Sequence, residues 1–260
     1  MNCLKALFIQ NGINEKFTIE VFLVDDGCTD GTPEAILIQF PEVNIIQGTG
    51  NLYWNRGMHL AWKRASSYRD FDYYLWLNDD TFLFKNVLVE FILASIFHQD
   101  KAAFCGSTFS KEHQKISYGG NSLNGGLLVP NGQLQEVYSF NGNVVFIPRD
   151  VFQKVGILDQ RFPHAIGDFD YGLRIRKAQL KSFILGEYVG TCEGSDKLPI
   201  WCSDNIPLRK RIASLYSPLG NSHPYYFFIF ELKHYGILTS IKHFFSIHLR
   251  LFFPRLWITK

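Results

Sequence analysis

The 260-residue sequence lacks any apolar run that reaches the roughly 18 residues a membrane-spanning helix needs. It also lacks C-x-x-C pairs, and its five cysteines are irregularly spaced, so we expect reduced thiols in a cytoplasmic protein rather than a zinc site. Lys5 and the polar residues 10–16 interrupt the start, which predicts no signal peptide. Internal repeats and low-complexity linkers are absent as well.

Charged residues are few, at 19%, and the formal net charge is only +2. Their distribution is uneven: residues 205–260 carry eight Lys/Arg and one acid, whereas the other 204 residues carry 18 basic and 23 acidic side chains. A basic tail on a mildly acidic body predicts contact with something anionic. Apolar residues at 225–253 approximate helical spacing, so this tail is either a helix packed on the body or an amphipathic element at an anionic membrane surface.

The sequence is rich in apolar residues, with 47% hydrophobic residues and 24 phenylalanines. This content is enough for the core of one large α/β domain. Short apolar runs alternate with helical patterns. The predicted strands are 17–24, 43–46, 73–77, 102–106, 144–147 and 183–189, and the predicted helices are 4–10, 33–39, 55–68, 87–97, 149–155, 168–178 and 208–215. Paired glycines in 107–140 predict a hairpin-rich insertion.

Three acidic clusters stand out in this pattern: Asp25-Asp26, Asp79-Asp80, and Asp168 with Asp170. Each alone is typical of a turn or a helix cap. The first two directly follow apolar strands, and ligands of open α/β sheets bind at the carboxyl ends of strands. A carboxylate pair at a strand tip also supplies the oxygen ligands that hard divalent cations prefer. Together the clusters predict a metal-assisted binding site.

In this order the motifs resemble those of the inverting, family-2 nucleotide-sugar glycosyltransferases of the GT-A fold. The matching stretches are 24–32 (VDDGCTDGT), 50–54 (GNLYW), 77–81 (LNDDT), 146–149 with 155–159, and 167–174 (GDFDYGLR). The resemblance covers roughly residues 1–195. It implies a GT-A-like mixed sheet flanked by helices over residues 1–203, followed by a basic, aromatic and helical extension over 204–260.

The resemblance also implies how the nucleotide-sugar donor is bound. Asp25 and Asp26 correspond to the nucleoside-binding pair of the family, and the loop with Gly50 and Asn51 would lie along the nucleotide. Arg56 would reach the diphosphate, with an exposed arginine at a helix start as the alternative interpretation.

The D-x-D motif of the family falls on residues 78–80, so its first acid is Asn78 here. Asp80, with Asp79 beside it, is therefore expected to hold Mn²⁺ or Mg²⁺ and so to neutralise charge on the diphosphate leaving group. The family commonly completes this site with a histidine after the late strand, where this sequence has Glu193 as a possible substitute.

An inverting transfer needs a base that deprotonates the attacking acceptor hydroxyl. Gly167 replaces the first acid of the family's acidic pair, so the base position falls on Asp168. Asp170 is the second choice, with an acceptor-binding or supporting role as its main interpretation. His164 is expected to contact the acceptor, or else to be a solvated loop histidine.

The function implied is transfer of a sugar from a nucleotide-sugar to a glycan or lipid-linked acceptor, as in bacterial surface-polysaccharide assembly, with no nucleic-acid partner. The enzyme would work at the cytoplasmic face of the membrane, held there by its tail. One alternative is a nucleotidyltransferase, whose glycine- and Lys/Arg-rich loop is not found. Another is a catalytically impaired nucleotide-sugar-binding protein, because Met1 falls inside the family's first helix and the central first strand is expected to be missing. We therefore expect weak or no activity from the sequence as written.

Overall fold

Helices and strands alternate along the chain in the computed structural model, which describes residues 1–194 and 198–257. The helices are α1 (Asn2–Phe8), α2 (Thr32–Gln39), α3 (Tyr53–Tyr68), α4 (Val87–Phe97), α5 (Arg149–Val155), α6 (Gly167–Lys177), α7 (Leu208–Leu215), α8 (Pro224–His234) and α9 (Ile237–Phe252). The strands are β1 (Phe22–Asp25), β2 (Asn44–Gln47), β3 (Tyr73–Leu77), β4 (Phe82–Leu83), β5 (Ala102–Ser110), β6 (Lys115–Tyr118), β7 (Gly120–Asn121), β8 (Gln135–Glu136), β9 (Ser139–Phe140), β10 (Val144–Pro148) and β11 (Lys181–Thr191).

A mixed sheet of seven strands forms the centre of the body. Its order is β3-β10-β5-β11-β4, with β6 paired to β5 and β8 paired to β11. Strands β5 and β11 run parallel, whereas β10 is antiparallel to both β3 and β5. The short strands β6 to β9 come from the predicted hairpin-rich insertion. A mixed sheet flanked by helices confirms the predicted fold class.

Strands β1 and β2 form a separate two-stranded parallel sheet, in register from Phe22 opposite Asn44 to Asp25 opposite Gln47. Strand β3 is a terminal strand of the large sheet and pairs with β10. Among the described residues, no ladder joins β1 to β3. The absence of a first strand beside β3 stays a prediction.

The two faces of the large sheet carry two cores, because alternate residues of a strand point to opposite faces. One core, beneath α3, α5 and α6, centres on Trp62, Trp76 and Tyr171, whose ring centroids lie 5.0–5.4 Å apart. The other lies beneath α4, where Phe91 stacks on Phe146 at 5.2 Å. The first core packs α3 and α6 against β3.

The C-terminal part is packed on the body through one of its faces. Phe230 of α8 lies in a cluster with Phe162, Ile166 and Leu173 of the body. A second cluster joins α7 and α9 to a short 3₁₀ helix, Ile200–Cys202. The single helical pattern over 225–253 is divided into α8 and α9 at Gly236, whose φ of +87° ends the first helix. The predicted boundary at residue 203 stays a prediction.

No helix in the described part of the chain combines the length and the apolar character that crossing a membrane requires.

Candidate active site at the strand ends

The first acidic pair braces the turn after β1. Asp25 is buried, and its Oδ1 accepts the backbone N–H groups of Gly27 at 3.1 Å and Cys28 at 2.8 Å. These hydrogen bonds, led by that from Cys28, hold the pKa of the Asp25 carboxyl below its usual value. Asp25 is therefore an ionised group that shapes the turn in which Asp26 lies.

Asp26 joins this turn to the glycine loop. Its Oδ1 accepts the Gly50 N–H at 2.7 Å, and its Oδ2 accepts the N–H groups of Leu52 at 2.7 Å and Tyr53 at 3.2 Å. A Cβ on Gly27 would lie 3.2 Å from the Gly50 Cα, so the two backbones approach closely. Asn51, in the same loop, is exposed to solvent. Asp26, Gly50 and Asn51 thus lie in two adjoining turns, with Asp25 buried in the first. The nucleotide-binding roles of these four residues stay predictions.

The second acidic pair lies at the tip of β3 with both carboxylates exposed. Asn78 takes no part in this exposed pair, because its Oδ1 accepts the Trp54 indole N–H at 2.7 Å. Two exposed carboxylates fit Mg²⁺ or Mn²⁺, ions that often retain waters and bind through one or two carboxylates plus substrate phosphates. The residues present therefore suit a cation shared with a diphosphate.

Cys192 and Glu193 differ in their relation to Asp80. Cys192 is buried, which raises the pKa of its thiol to about 11, and the nearby charge of Asp80 adds to this effect. Glu193 bonds instead to the turn after β5, where it accepts the Ser110 hydroxyl and the Lys111 N–H, the latter at 2.9 Å. Within the described ranges, no three His, Cys, Asp or Glu side chains converge as a metal-binding group. Glu193 and Asp80 line the same small cavity, although the Glu193 carboxylate is engaged by the turn after β5. The suggestion that Glu193 substitutes for the histidine of the family stays a prediction.

The predicted base, Asp168, lies half-buried in the first turn of α6. Its Oδ2 accepts the Gly142 N–H at 2.9 Å and its Oδ1 accepts the Phe169 N–H at 2.8 Å. Burial raises the pKa of the Asp168 carboxyl to about 6, although the backbone hydrogen bonds act in the opposite direction. A carboxyl with this pKa is largely ionised at pH 7 and remains basic enough to accept a proton.

Asp170 has a different environment from Asp168, although only one residue separates them. Its side chain is fully buried, and its two oxygens are engaged by Arg174, Lys233 and His234. In this conformation both oxygens are used within the protein. The acceptor-binding role of Asp170 stays a prediction. In this geometry the carboxylate links α6 to α8.

Arg56 and His164 both contact neighbouring loops. The Arg56 Nε donates to the Gln160 carbonyl at 3.0 Å, which ties the guanidinium to the loop before α6. The His164 Nδ1 accepts the Trp54 backbone N–H at 3.4 Å, and burial lowers the pKa of its imidazole. The diphosphate and acceptor contacts of these residues stay predictions.

Sequence reasoning assigned no role to Trp54, which links the two halves of the site. Besides its bond to Asn78, its ring fills the space beside Gly142, where an added Cβ would lie 2.3 Å from the indole and 3.3 Å from the Asp168 Cβ. Any side chain at position 142 would therefore push apart the indole and the base. Trp54 is part of the motif at 50–54, but its partners Asn78 and Gly142 are distant in the sequence, so no local pattern could predict these contacts.

Gly167, where the family has an acid, is explained by Asn55. An added Cβ at position 167 would lie 1.8 Å from the Asn55 Oδ1. Asn55 is itself fixed, since its amide nitrogen donates to the carbonyls of Asp159 at 2.8 Å and Phe162 at 2.7 Å. The missing acid is thus replaced by a packing contact between α3 and α6.

The mixed sheet, with acidic residues at the ends of β1 and β3 and at the start of α6, defines a GT-A fold. A family model described as "Glycosyl transferase family 2" matches residues 2–168. This span is more than half of the chain, so the chain belongs to glycosyl transferase family 2, and the predicted family is confirmed.

Solved structures similar to this chain support the fold. They include GalNAc-T7 with UDP, GalNAc and Mn²⁺ (TM-score 0.59, 14% identity, 88% of this chain and 45% of that chain). TarS of S. aureus has a TM-score of 0.50 at 14% identity, over 85% of this chain and 38% of that chain. The mannosyltransferase PcManGT from Pyrobaculum calidifontis, in complex with GDP-Man and Mn²⁺, has a TM-score of 0.54 at 12% identity, over 93% of this chain and 68% of that one.

This chain spans less than half the length of the first two structures. At 12–14% identity these likenesses show the fold alone. No curated protein matches the chain.

Proposed function

We propose that the protein transfers a sugar from a nucleotide-sugar to a hydroxyl of a glycan or lipid-linked acceptor, with inversion at the anomeric carbon. The observation that carries this proposal is the position of Trp54, which bonds to Asn78 beside the exposed acidic pair and packs beside Gly142, whose N–H binds Asp168. The proposed cation-binding tip and the proposed base are therefore both linked to the Trp54 indole, the first through Asn78 and the second through Gly142.

Asp168 is the base in this reaction. Its ionised carboxylate accepts the proton of the acceptor hydroxyl while that oxygen attacks the anomeric carbon. The bond between the anomeric carbon and the diphosphate breaks on the opposite face, and the nucleoside diphosphate leaves with the bonding electrons. The Gly142 N–H keeps the Asp168 carboxylate oriented, since it binds one of the two oxygens.

The donor lies across the two motif turns. The nucleoside rests against the turn of Asp25 and Asp26 and the loop of Gly50 and Asn51, which Asp26 holds together. Asp80 and Asp79 would hold a divalent cation, Mn²⁺ or Mg²⁺, which supplies positive charge to the departing diphosphate when bound. Two of the similar structures contain Mn²⁺, one with UDP and the other with GDP-Man, which supports this choice of ion and donor class.

A donor panel tests the proposed function. The purified chain is incubated with UDP- and GDP-sugars, Mn²⁺ and extracts of lipid-linked or glycan acceptors, and nucleoside diphosphate release is compared with and without acceptor. We expect acceptor-dependent release and a product whose anomeric configuration, read by NMR, is opposite to that of the donor. Donor binding in a thermal-shift assay without any transfer would instead support the impaired-binder alternative. Retention of configuration would contradict the proposed mechanism.

The partner of the C-terminal part is an anionic membrane surface. On α9, the exposed face carries five apolar side chains at three- and four-residue intervals: Leu238, Ile241, Phe245, Leu249 and Phe252. The packed face of the same helix carries Ser240, Ile247 and Leu251, so α9 is apolar on two opposite sides. Lys242 borders the exposed face, in a tail rich in basic residues. An apolar stripe with cationic neighbours suits an interface of anionic lipids.

The double variant Leu238→Glu/Phe245→Glu tests this surface. Burial of each large apolar side chain contributes roughly 1.5–3 kcal/mol, so we expect loss of at least about tenfold in partition to anionic vesicles. The measurement is flotation with vesicles of phosphatidylglycerol and phosphatidylcholine. Point variants are preferable to truncation, because α8 also packs on the body.

The matched control for this test is Ile38→Glu on α2, since Ile38 is 82% exposed, like Leu238. It should float as the unchanged protein does. Equal flotation of the double variant contradicts the assignment. A dimer that the double variant disrupts, with no vesicle binding, would assign the face to a second copy of the chain.

A further inference from the structure

The buried carboxylate of Asp170 joins the catalytic helix α6 to the C-terminal helix α8. Its Oδ2 accepts the Arg174 Nε–H at 2.9 Å, one turn further along α6. Its Oδ1 accepts the Lys233 ammonium at 2.6 Å and the His234 Nε2–H at 2.8 Å. The side chain of Asp170 is 0% exposed and that of His234 is 1% exposed. Two consecutive residues of α8 therefore bind one acidic group of α6.

Two cations, Arg174 and Lys233, face the single carboxylate of Asp170. Burial opposes ionisation of Asp170, but the hydrogen bond from His234 and the charges of Arg174 and Lys233 outweigh it and hold the pKa of Asp170 below its usual value. The carboxylate therefore stays ionised in the folded protein. Removing one partner of such a buried group is strongly destabilising, because it leaves an uncompensated charge.

The same cluster also fixes the chain just before α6. Lys233 bonds to Asp159 at 2.9 Å as well as to Asp170. The Arg174 guanidinium donates to the carbonyls of Val155 at 2.7 Å and Ile157 at 2.8 Å. The segment that leads from α5 into α6 is thus held by the side chains that hold Asp170.

Asp168 lies at the N-terminal end of α6, close to the residues that hold Asp170. It is two residues before Asp170 in the first turn of α6, and Ile166 precedes that turn with a φ of +78°. The Asp170 N–H donates to the Ile166 carbonyl at 2.8 Å, and Ile166 packs in the cluster with Phe230 of α8. Any rotation of the first turn that moves Asp168 must also displace Asp170 from Lys233 and His234.

We propose that Asp170, Lys233 and His234 are positioning residues that set the orientation of Asp168, so that the C-terminal helices are part of the active site as well as a surface for binding. This inference rests on the proposed role of Asp168 as the base. It predicts that α8 controls the rate of transfer without contacting the donor.

The test compares His234→Ala with His234→Gln, and Lys233→Met with Lys177→Met. Displacement of a catalytic group by about 1 Å costs roughly a hundredfold in rate. We therefore expect His234→Ala and Lys233→Met to lower kcat per folded molecule by roughly tenfold to a hundredfold, with the KM for the donor nearly unchanged. His234→Gln keeps an N–H donor and should retain most of the rate. Lys177 contacts α8 only through the Lys233 carbonyl, at 2.8 Å, among its described hydrogen bonds, so its variant should behave as the unchanged protein does.

A pH profile separates positioning from simple loss of folded protein. The acid limb of kcat/KM reports the pKa of the base in the free enzyme. Burial sets the pKa of Asp168 at about 6, so a loosened first turn that admits water should shift this limb to lower pH in His234→Ala. A smaller folded fraction lowers the rate but leaves the limb where it was.

Hydrogen exchange of the backbone amides at 166–170 provides a measurement that needs no activity. We expect faster exchange in His234→Ala and Lys233→Met than in Lys177→Met. Should the unchanged chain transfer no sugar, the proposed function fails while the exchange still decides whether α8 holds the start of α6. Unchanged exchange, or an unchanged kcat and acid limb per folded molecule, overturns the inference.

Discussion

Asp168→Asn is expected to abolish sugar transfer while donor binding stays nearly intact. A positioned general base contributes roughly 10²- to 10⁴-fold to the rate, and an amide cannot accept the proton of the acceptor hydroxyl. The substitution keeps the side-chain shape, and its carbonyl oxygen retains one acceptor for the N–H groups of Gly142 or Phe169. The measurement is kcat for transfer, together with the thermal shift produced by nucleotide-sugar and Mn²⁺.

The unchanged enzyme should also lose activity in acid. The pKa of Asp168 is raised to about 6, so the carboxylate is ionised above this pH and becomes protonated below it. We therefore expect kcat/KM to be constant from about pH 7 upward and to fall tenfold per pH unit well below 6. Asp150→Asn, which changes an exposed acid in the first turn of α5, is the matched control and should keep both rate and profile. Normal transfer by Asp168→Asn would show that another group is the base.

Sequence patterns predicted those strands and helices whose apolar residues repeat regularly and whose side chains are buried in the same way along the element. Trp76 and Leu75 follow the alternation of a strand covered on both faces, and β3 forms where the apolar run predicted it. The predicted strand at 17–24 begins only at Phe22, because residues 17–21 belong to no extended ladder among the described residues. Phe17 forms only an isolated bridge with Ile13, and the Val21 carbonyl accepts the Asn44 N–H at 2.8 Å. Local propensity cannot specify a partner strand.

The candidate site was predictable to the extent that its contacts are local. The family motifs assigned Asp26 and Gly50 to the same nucleotide, and the structure shows that the Asp26 carboxylate accepts the Gly50 N–H. The environment of Asp170 was not predictable, because its partners Lys233 and His234 follow it by more than 60 residues. Asp168 and Asp170 have the same side chain in the same helix turn. Only tertiary packing makes one a candidate base and the other a buried anchor.

The environment of Glu193, near Asp80, likewise depends on contacts between residues that are distant in the sequence. From sequence, an acid after β11 near the position of a family histidine suggested a ligand. The side chain accepts N–H groups of the turn at 110–113, which the sequence does not place next to residue 193. Glu193 also lines a small cavity with Asp80, Thr191 and Cys192, so its role as a cation ligand stays a prediction. The proposed cation site has few carboxylates, and we expect Asp80 to matter more for it than Asp79.

Asp80→Asn is therefore expected to remove the stimulation of transfer by divalent cations. The positive charge that a bound cation supplies to a leaving group contributes several kcal/mol, so we expect the rate in saturating Mn²⁺ to fall by about two orders of magnitude. An asparagine keeps the size of the side chain but lacks the negative charge that attracts a divalent ion. The direct measurement is the thermal shift given by UDP or GDP with Mn²⁺, minus the shift given by the nucleotide alone.

Asp79→Asn is the matched control, since it replaces an adjacent exposed carboxylate by an amide in the same way, and its effect should be clearly smaller.

Cys192→Ser supplies a second comparison. The Cys192 thiol is buried with a raised pKa of about 11, so it is protonated at neutral pH, and its replacement should leave the Mn²⁺-dependent shift largely in place. An Asp80→Asn protein that still responds fully to Mn²⁺ would place the cation elsewhere. A larger loss in Asp79→Asn than in Asp80→Asn would exchange the roles of the two acids. Either result would leave the assignment of Asp168 intact, because that carboxylate is positioned by Gly142 and α6 rather than by the β3 tip.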